Sequence, residues 1–218
     1  MCFSERASIV TFIIGLIGSF LCVSLGGIDD KIIGYFFAFV SSMQLIEFLL
    51  WRHQKCDSYN RFLSISGMIL NHLQPIVLGF IILMLNKNIR YKNVFYLSLF
   101  VYIAVIIPYS IQFIMKPQFQ CTLKNDSTHL NWYWNHLNYG VFVYTVFLLA
   151  FSILSVLGFS NLKMGIYMAL FGILSFLLSL YFYKQRHVGA IWCYFVVFLP
   201  IIYYVLSCIS MYVKQSNK

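Results

Sequence analysis

Apolar positions fall in seven long runs, with charged residues almost wholly in the short gaps between them. Stretches free of Asp, Glu, Lys and Arg cover residues 7–28, 32–51 (broken only by Glu47), 62–86, 93–115, 127–162, 164–183 and 188–213. A bilayer core about 30 Å thick needs roughly 20 apolar residues of helix, and each run supplies that length. In the fifth, the first third is polar, so its helix is expected over about 134–158. The pattern predicts an all-α, polytopic integral membrane protein, one domain over 1–218 built as a bundle of seven transmembrane helices.

The first run lies near the N-terminus, where a secretory signal would stand. Its apolar stretch is longer than the 7–15 residues or so of a signal h-region. Thr11, Gly15, Gly18, Cys22 and Gly26 share one helical face, as closely packed membrane helices require. It is therefore expected to be a mature helix. Gly165, Ala169, Gly172 and Ser179 form a similar packing stripe in the sixth span.

Composition agrees with this pattern. Of 218 residues, 61% are hydrophobic, 19% aromatic and 10% charged, at a mean hydropathy of +0.81. A soluble domain carries about a quarter charged residues. The net charge of +9 would suit nucleic acid if the basic residues clustered. They are dispersed at span ends instead, as interfacial anchors are. The expected partners are the bilayer and a small-molecule ligand, not nucleic acid; oligomeric state is left open.

Seven spans put the N-terminus on one side with the gaps after spans two, four and six. That side carries eight Lys and Arg and the other seven, so the positive-inside count is a tie. Two features break it. Cys56 and Cys121 both lie in gaps on the N-terminal side, and Asn125-Asp126-Ser127 there fits the N-glycosylation acceptor pattern. A Cys56–Cys121 disulfide needs an oxidising compartment. The expected topology is therefore N-terminus luminal or extracellular, with a glycan at Asn125, and C-terminus cytosolic.

Polar groups inside a bilayer are costly and mark functional interiors by default. Glu47 is the single acidic residue within a span. Gln44, Glu47 and Trp51 share a helical face, and Glu47 lies about a turn from the N-terminal side, within expected reach of water. In the third span Ser64, Asn71 and Gln74 share a face, with His72 beside it, and Pro75 frees the Asn71 carbonyl. Pro108, Tyr109 and Gln112 end the fourth. Asn131, Asn135 and Asn138 align near the fifth, among Trp132, Trp134 and His136; Trp192 opens the seventh and Pro200 interrupts it. The other half of the spans is Leu, Ile, Val and Phe. This asymmetry predicts a polar, aromatic-rimmed cavity open to the N-terminal side. Trp51, Trp132, Trp134 and Tyr183 are read as an interfacial aromatic belt, and Asn71, Gln74 and Asn138 could equally bond helix to helix.

The expected ligand-binding residues are Gln44, Glu47, Asn71, His72, Gln74, Tyr109, Gln112, His136, Asn138 and Trp192. HxxxH, HExxH, CxxC, GxSxG and glycine-rich phosphate loops are all missing, and no Lys lies within a span to form a retinal Schiff base. No metal or cofactor is expected. The leading expectation is binding, with transport as its extension, of a small polar or amphipathic molecule. The alternatives are a membrane-embedded acid/base enzyme, hydrolase-like, using Glu47 and His72, and a seven-helix receptor-like protein.

Several families bear on these alternatives. The chain departs from ceramidase-like hydrolases in lacking their paired histidines. With Pro75 and Pro200 in spans three and seven, its plan resembles the three-plus-one-plus-three arrangement of SWEET and PQ-loop carriers, though Gln74-Pro75 reverses their dipeptide. Cys56, Cys121 and Pro200-Ile201-Ile202-Tyr203 are similar to the bridge and Pro-x-x-Tyr element of rhodopsin-like receptors; the acidic-Arg-Tyr motif is missing. The segment Ser42-Met43-Gln44-Leu45-Ile46-Glu47-Phe48-Leu49-Leu50-Trp51 with Leu73-Gln74-Pro75 resembles a pattern in uncharacterised multi-span proteins of large DNA viruses and protists, which brings no activity with it.

Overall fold

The computed structural model describes residues 4–124, 129–183, 192 and 194–216. Its helices are α1 (Glu5–Leu25), α2 (Ile28–Arg52), α3 (Ser58–Leu85), α4 (Lys92–Ile114), α5 (Gly140–Gly158), α6 (Leu162–Tyr183) and α7 (Leu199–Ser216). Short 3-10 turns at Pro117–Phe119 and Tyr133–His136 lie between α4 and α5. Of the described residues, 82% are helical and none is in a strand. Seven helices are long and apolar enough to cross a membrane, the last counted over Tyr194–Val213.

Local chemistry sets the ends of the helices. Ser4 Oγ accepts from the Ala7 amide at 3.1 Å and caps α1. α2 starts four residues earlier than its charge-free run, because Asp29 and Asp30 belong to its first turn, where carboxylates are favourable. Asp30 Oδ2 also accepts from Gly27 N at 3.0 Å. α5 begins at Gly140 rather than near Trp134. Residues Tyr133–His136 form a tighter turn, and Tyr139 adopts a left-handed φ of 70° that sets the new direction. Val197 and Phe198 form a turn before α7, so the seventh segment is interrupted just ahead of Pro200.

α3 is the hub, packing against α2, α4 and α5, while α1 bridges α2 and α7, and α6 lies on α5. The α1 stripe works as a close-packing seam: a Cβ on Gly18 would stand 2.8 Å from the Ile201 amide nitrogen of α7. At the bundle end away from the N-terminus, Arg90 donates to the Phe159 and Ser160 carbonyls, each at 2.7 Å. Asp29 accepts there from the Ser160 and Asn161 amides at 2.7 and 2.8 Å. That end is therefore tied together by backbone-directed polar groups.

Candidate functional site

At the N-terminal end, residues 116–124 and 129–139 fold into a cap over the bundle. Cys56 and Cys121 are joined as a disulfide with Cα atoms 5.6 Å apart, pinning the cap to the α2–α3 turn. The Asn60 side chain accepts from the Thr122 amide and donates to the Thr122 carbonyl, both at 2.9 Å. Ser64 Oγ bonds Thr122 Oγ1 at 2.8 Å. Lys124 N donates to Gln54 Oε1 at 2.6 Å, and Lys124 pairs with Leu130 as an isolated bridge. At the same edge Asp57 caps α3, accepting from the Tyr59 and Asn60 amides, and meets His53 Nε2 at 2.7 Å. The Asn60 N–H first, and His53 after it, hold its carboxyl below the usual aspartate range.

The cap carries its aromatics inward. Trp132 is 0% and Trp134 1% exposed. Their rings lie 4.2 Å apart, with Trp134 against Phe113 at 5.9 Å. Trp132 lies on Gly67 of α3, where a Cβ would come within 2.9 Å of its ring. Ile46 of α2 lines the same spot. Tyr109 OH donates to the Trp134 carbonyl at 2.6 Å. Two expectations change as a result. Trp132 and Trp134 are interior residues rather than a belt, because the uncharged loop turns back into the bundle. Glu47, expected within reach of water, is 0% exposed.

Beneath the roof lie Gln44, Glu47, Asn71, His72 and Gln74, each at most 2% exposed. Asn71 and Gln74 share the α3 face of Gly67, toward the cap and α2. Gln44 Oε1 accepts from Thr11 of α1 at 3.0 Å. His72 is turned toward α4: its Nδ1 lies 2.8 Å from Ser110 Oγ, and its ring packs on Tyr109 at 5.6 Å. Its carbonyl, just ahead of Pro75, accepts from Tyr102 OH at 2.6 Å. Glu47 and His72 are both buried, yet they form no direct hydrogen bond, since His72 Nε2 has no partner.

Gln44 Nε2, Asn71 Nδ2 and the indole Nε1 atoms of Trp132, Trp134 and Trp192 are also buried with no hydrogen-bond partner among the described residues. Trp192 packs edge-on against Phe147 and Phe151, at 5.4 and 6.2 Å. Gln112 is half-buried in a cleft between α4 and α5, and Asn138 is exposed in the turn before α5. Asn138 is thus not an interior ligand: the later start of α5 leaves it outside the bundle. His136 is helical in backbone, but its side chain, like Asn125 and its sequon, lies outside the described residues. No three His, Cys, Asp or Glu side chains converge among the described residues.

Sequence reasoning read Thr11 only as a packing residue, and missed its bond to Gln44, the Ser110 contact of the His72 ring, the Tyr102 bond to the His72 carbonyl and the inward turn of Trp132. A signal for the last was present: Gly67 lies one turn from Asn71 on the same face, and a glycine there permits close approach by a large ring. No protein-family model, curated protein or solved structure matches this chain. What the fold defines is an all-helical protein with seven helices long and apolar enough to span a membrane, compatible with an integral multi-pass protein. At one end, a cap anchored by the Cys56–Cys121 disulfide packs Trp132 and Trp134 into the bundle.

Proposed function

We propose that this protein spans the bilayer seven times and binds a small, oxygen-rich polar molecule in the interior beneath the cap. The observation that carries the reading is the set of buried N–H groups on Gln44, Asn71, Trp132 and Trp134 without partners among the described residues. Leaving such a group unsatisfied costs about 1–3 kcal/mol, and protein interiors rarely keep several. A ligand with several acceptor oxygens would satisfy them, while Glu47 would take a hydroxyl or an ammonium and the indole faces would cover its apolar side. The roof implies that exchange requires the cap to lift. Passage through the bundle, the transport extension, would further require the apolar half to open. The disulfide supports placing the capped end in the lumen or outside the cell.

The test is thermal unfolding of the purified protein with a panel of sugars, polyols, amino acids and dicarboxylates. At 100 times its Kd, a bound compound adds about 2.7 kcal/mol, a clear rise in midpoint. That rise should vanish in Glu47→Gln and Asn71→Leu at unchanged helix content. A panel without any stabilising member, or stabilisation kept by both variants, would overturn the proposal.

A further inference from the structure

We propose that the cleft between α4 and α5 binds an acyl chain of a bilayer lipid, with the lipid's polar end toward the capped end of the bundle. This site is separate from the polar interior, although like that reading it places the bundle in a bilayer. The cleft has a volume of about 350 Å³, within the range of small-molecule sites. Ala104 and Pro108 form its α4 wall, and Phe142 and Val143 its α5 wall. The small Ala104 side chain leaves a notch, and Pro108, lacking an N–H, leaves the Ala104 carbonyl without its helical bond.

Polarity is graded along the cleft. Gln112, near the last turn of α4, and Tyr139, the residue that starts α5, line the end by the cap. Farther down the lining is Ala104, Val105, Phe142 and Val143. The surrounding surface is apolar and outward-facing: Phe100 is 68%, Ile107 50% and Val141 70% exposed. A surface of that kind faces lipid, so whatever fills a cleft opening onto it comes from the bilayer. One polar end near the interface and an apolar run below it match a single acyl chain with its ester and headgroup at Gln112 and Tyr139. Tyr109 forms the inner wall, and its hydroxyl holds the Trp134 carbonyl. The chain would therefore touch a side chain that secures the cap.

The experiment uses the full chain reconstituted in phosphatidylcholine vesicles containing phosphatidylcholine with a photoreactive diazirine in one acyl chain. Adducts are mapped by mass spectrometry after digestion. The expected result is labelling at residues 104–112 and 139–143 severalfold above that at Phe100 and Leu97, which face outward without a cleft. Ala104→Trp, at an exposed position, should fill the notch and bring labelling down to that surface level. Even labelling of all outward apolar residues would overturn the proposal, as would an unchanged map in a folded Ala104→Trp. So would protection of the cleft by a second copy of the chain, or labelling by a photoreactive sterol alone. If Ala104→Trp does not fold, the wild-type ratio of cleft to surface labelling decides the question.

Discussion

The Trp132–Gly67 contact is the residue pair on which the roof depends. Trp132 is fully buried between α2 and α3, and Gly67 provides the flat surface beneath it. Trp132→Ala should destabilise the protein by about 3–5 kcal/mol, the usual range for removing a buried aromatic, measured by denaturant unfolding in detergent. Gly67→Val should cost about 1–3 kcal/mol through overpacking. It should also raise solvent quenching of tryptophan fluorescence as the cap is pushed off. Unchanged stability in both variants would mean that the cap does not seat there. At this scale the sequence was informative about polarity and silent about direction. Glu47, Gln44, Asn71, His72 and Gln74 stood out because amides and ionisable groups are rare in apolar runs, and all five are buried. That His72 turns to Ser110 rather than Glu47 depends on how α3 is rotated against α4. One helix's periodicity does not specify that rotation.

Among the elements, the α2–α3 turn and the cap it holds should be the most sensitive to conditions. Asp57 is the N-cap of α3 and has a depressed folded pKa. Its contribution is therefore fully present above the unfolded aspartate value and is lost as pH falls through the lower folded value. Thermal midpoints of the wild type should fall on acidification below the ordinary carboxylate range, and Asp57→Ala should flatten that part of the profile. At neutral pH the variant should have a lower midpoint than the wild type, as helices that lose an N-cap do. Removing the Cys56–Cys121 bridge with Cys121→Ser should cost about 2–4 kcal/mol, read from the same midpoints without reductant. Helix existence was legible because seven charge-free runs of membrane length leave few alternatives; several helix ends were not. Asp29 and Asp30 lie outside any charge-free window yet inside α2, since the helix N-terminus favours them. The start of α5 depends on the left-handed Tyr139, which hydropathy does not register.

For the whole molecule, the two ends of the bundle differ in construction, and the proposed topology rests on that difference. One end has the disulfide, the roof and the polar interior; the other is closed by Arg90 and Asp29 on backbone groups. Expression in a eukaryotic secretory membrane should add one N-glycan, lost in Asn125→Gln and removable by an endoglycosidase. A chain that stays unglycosylated while Lys218 is reachable from outside intact cells would reverse the orientation. A ligand held beneath the cap would be seen by native mass spectrometry of the protein released from detergent. A discrete added mass is expected on the wild type, absent from Glu47→Gln with its helix content preserved. A bare wild-type mass, or the same added mass on the variant, would contradict the proposed site.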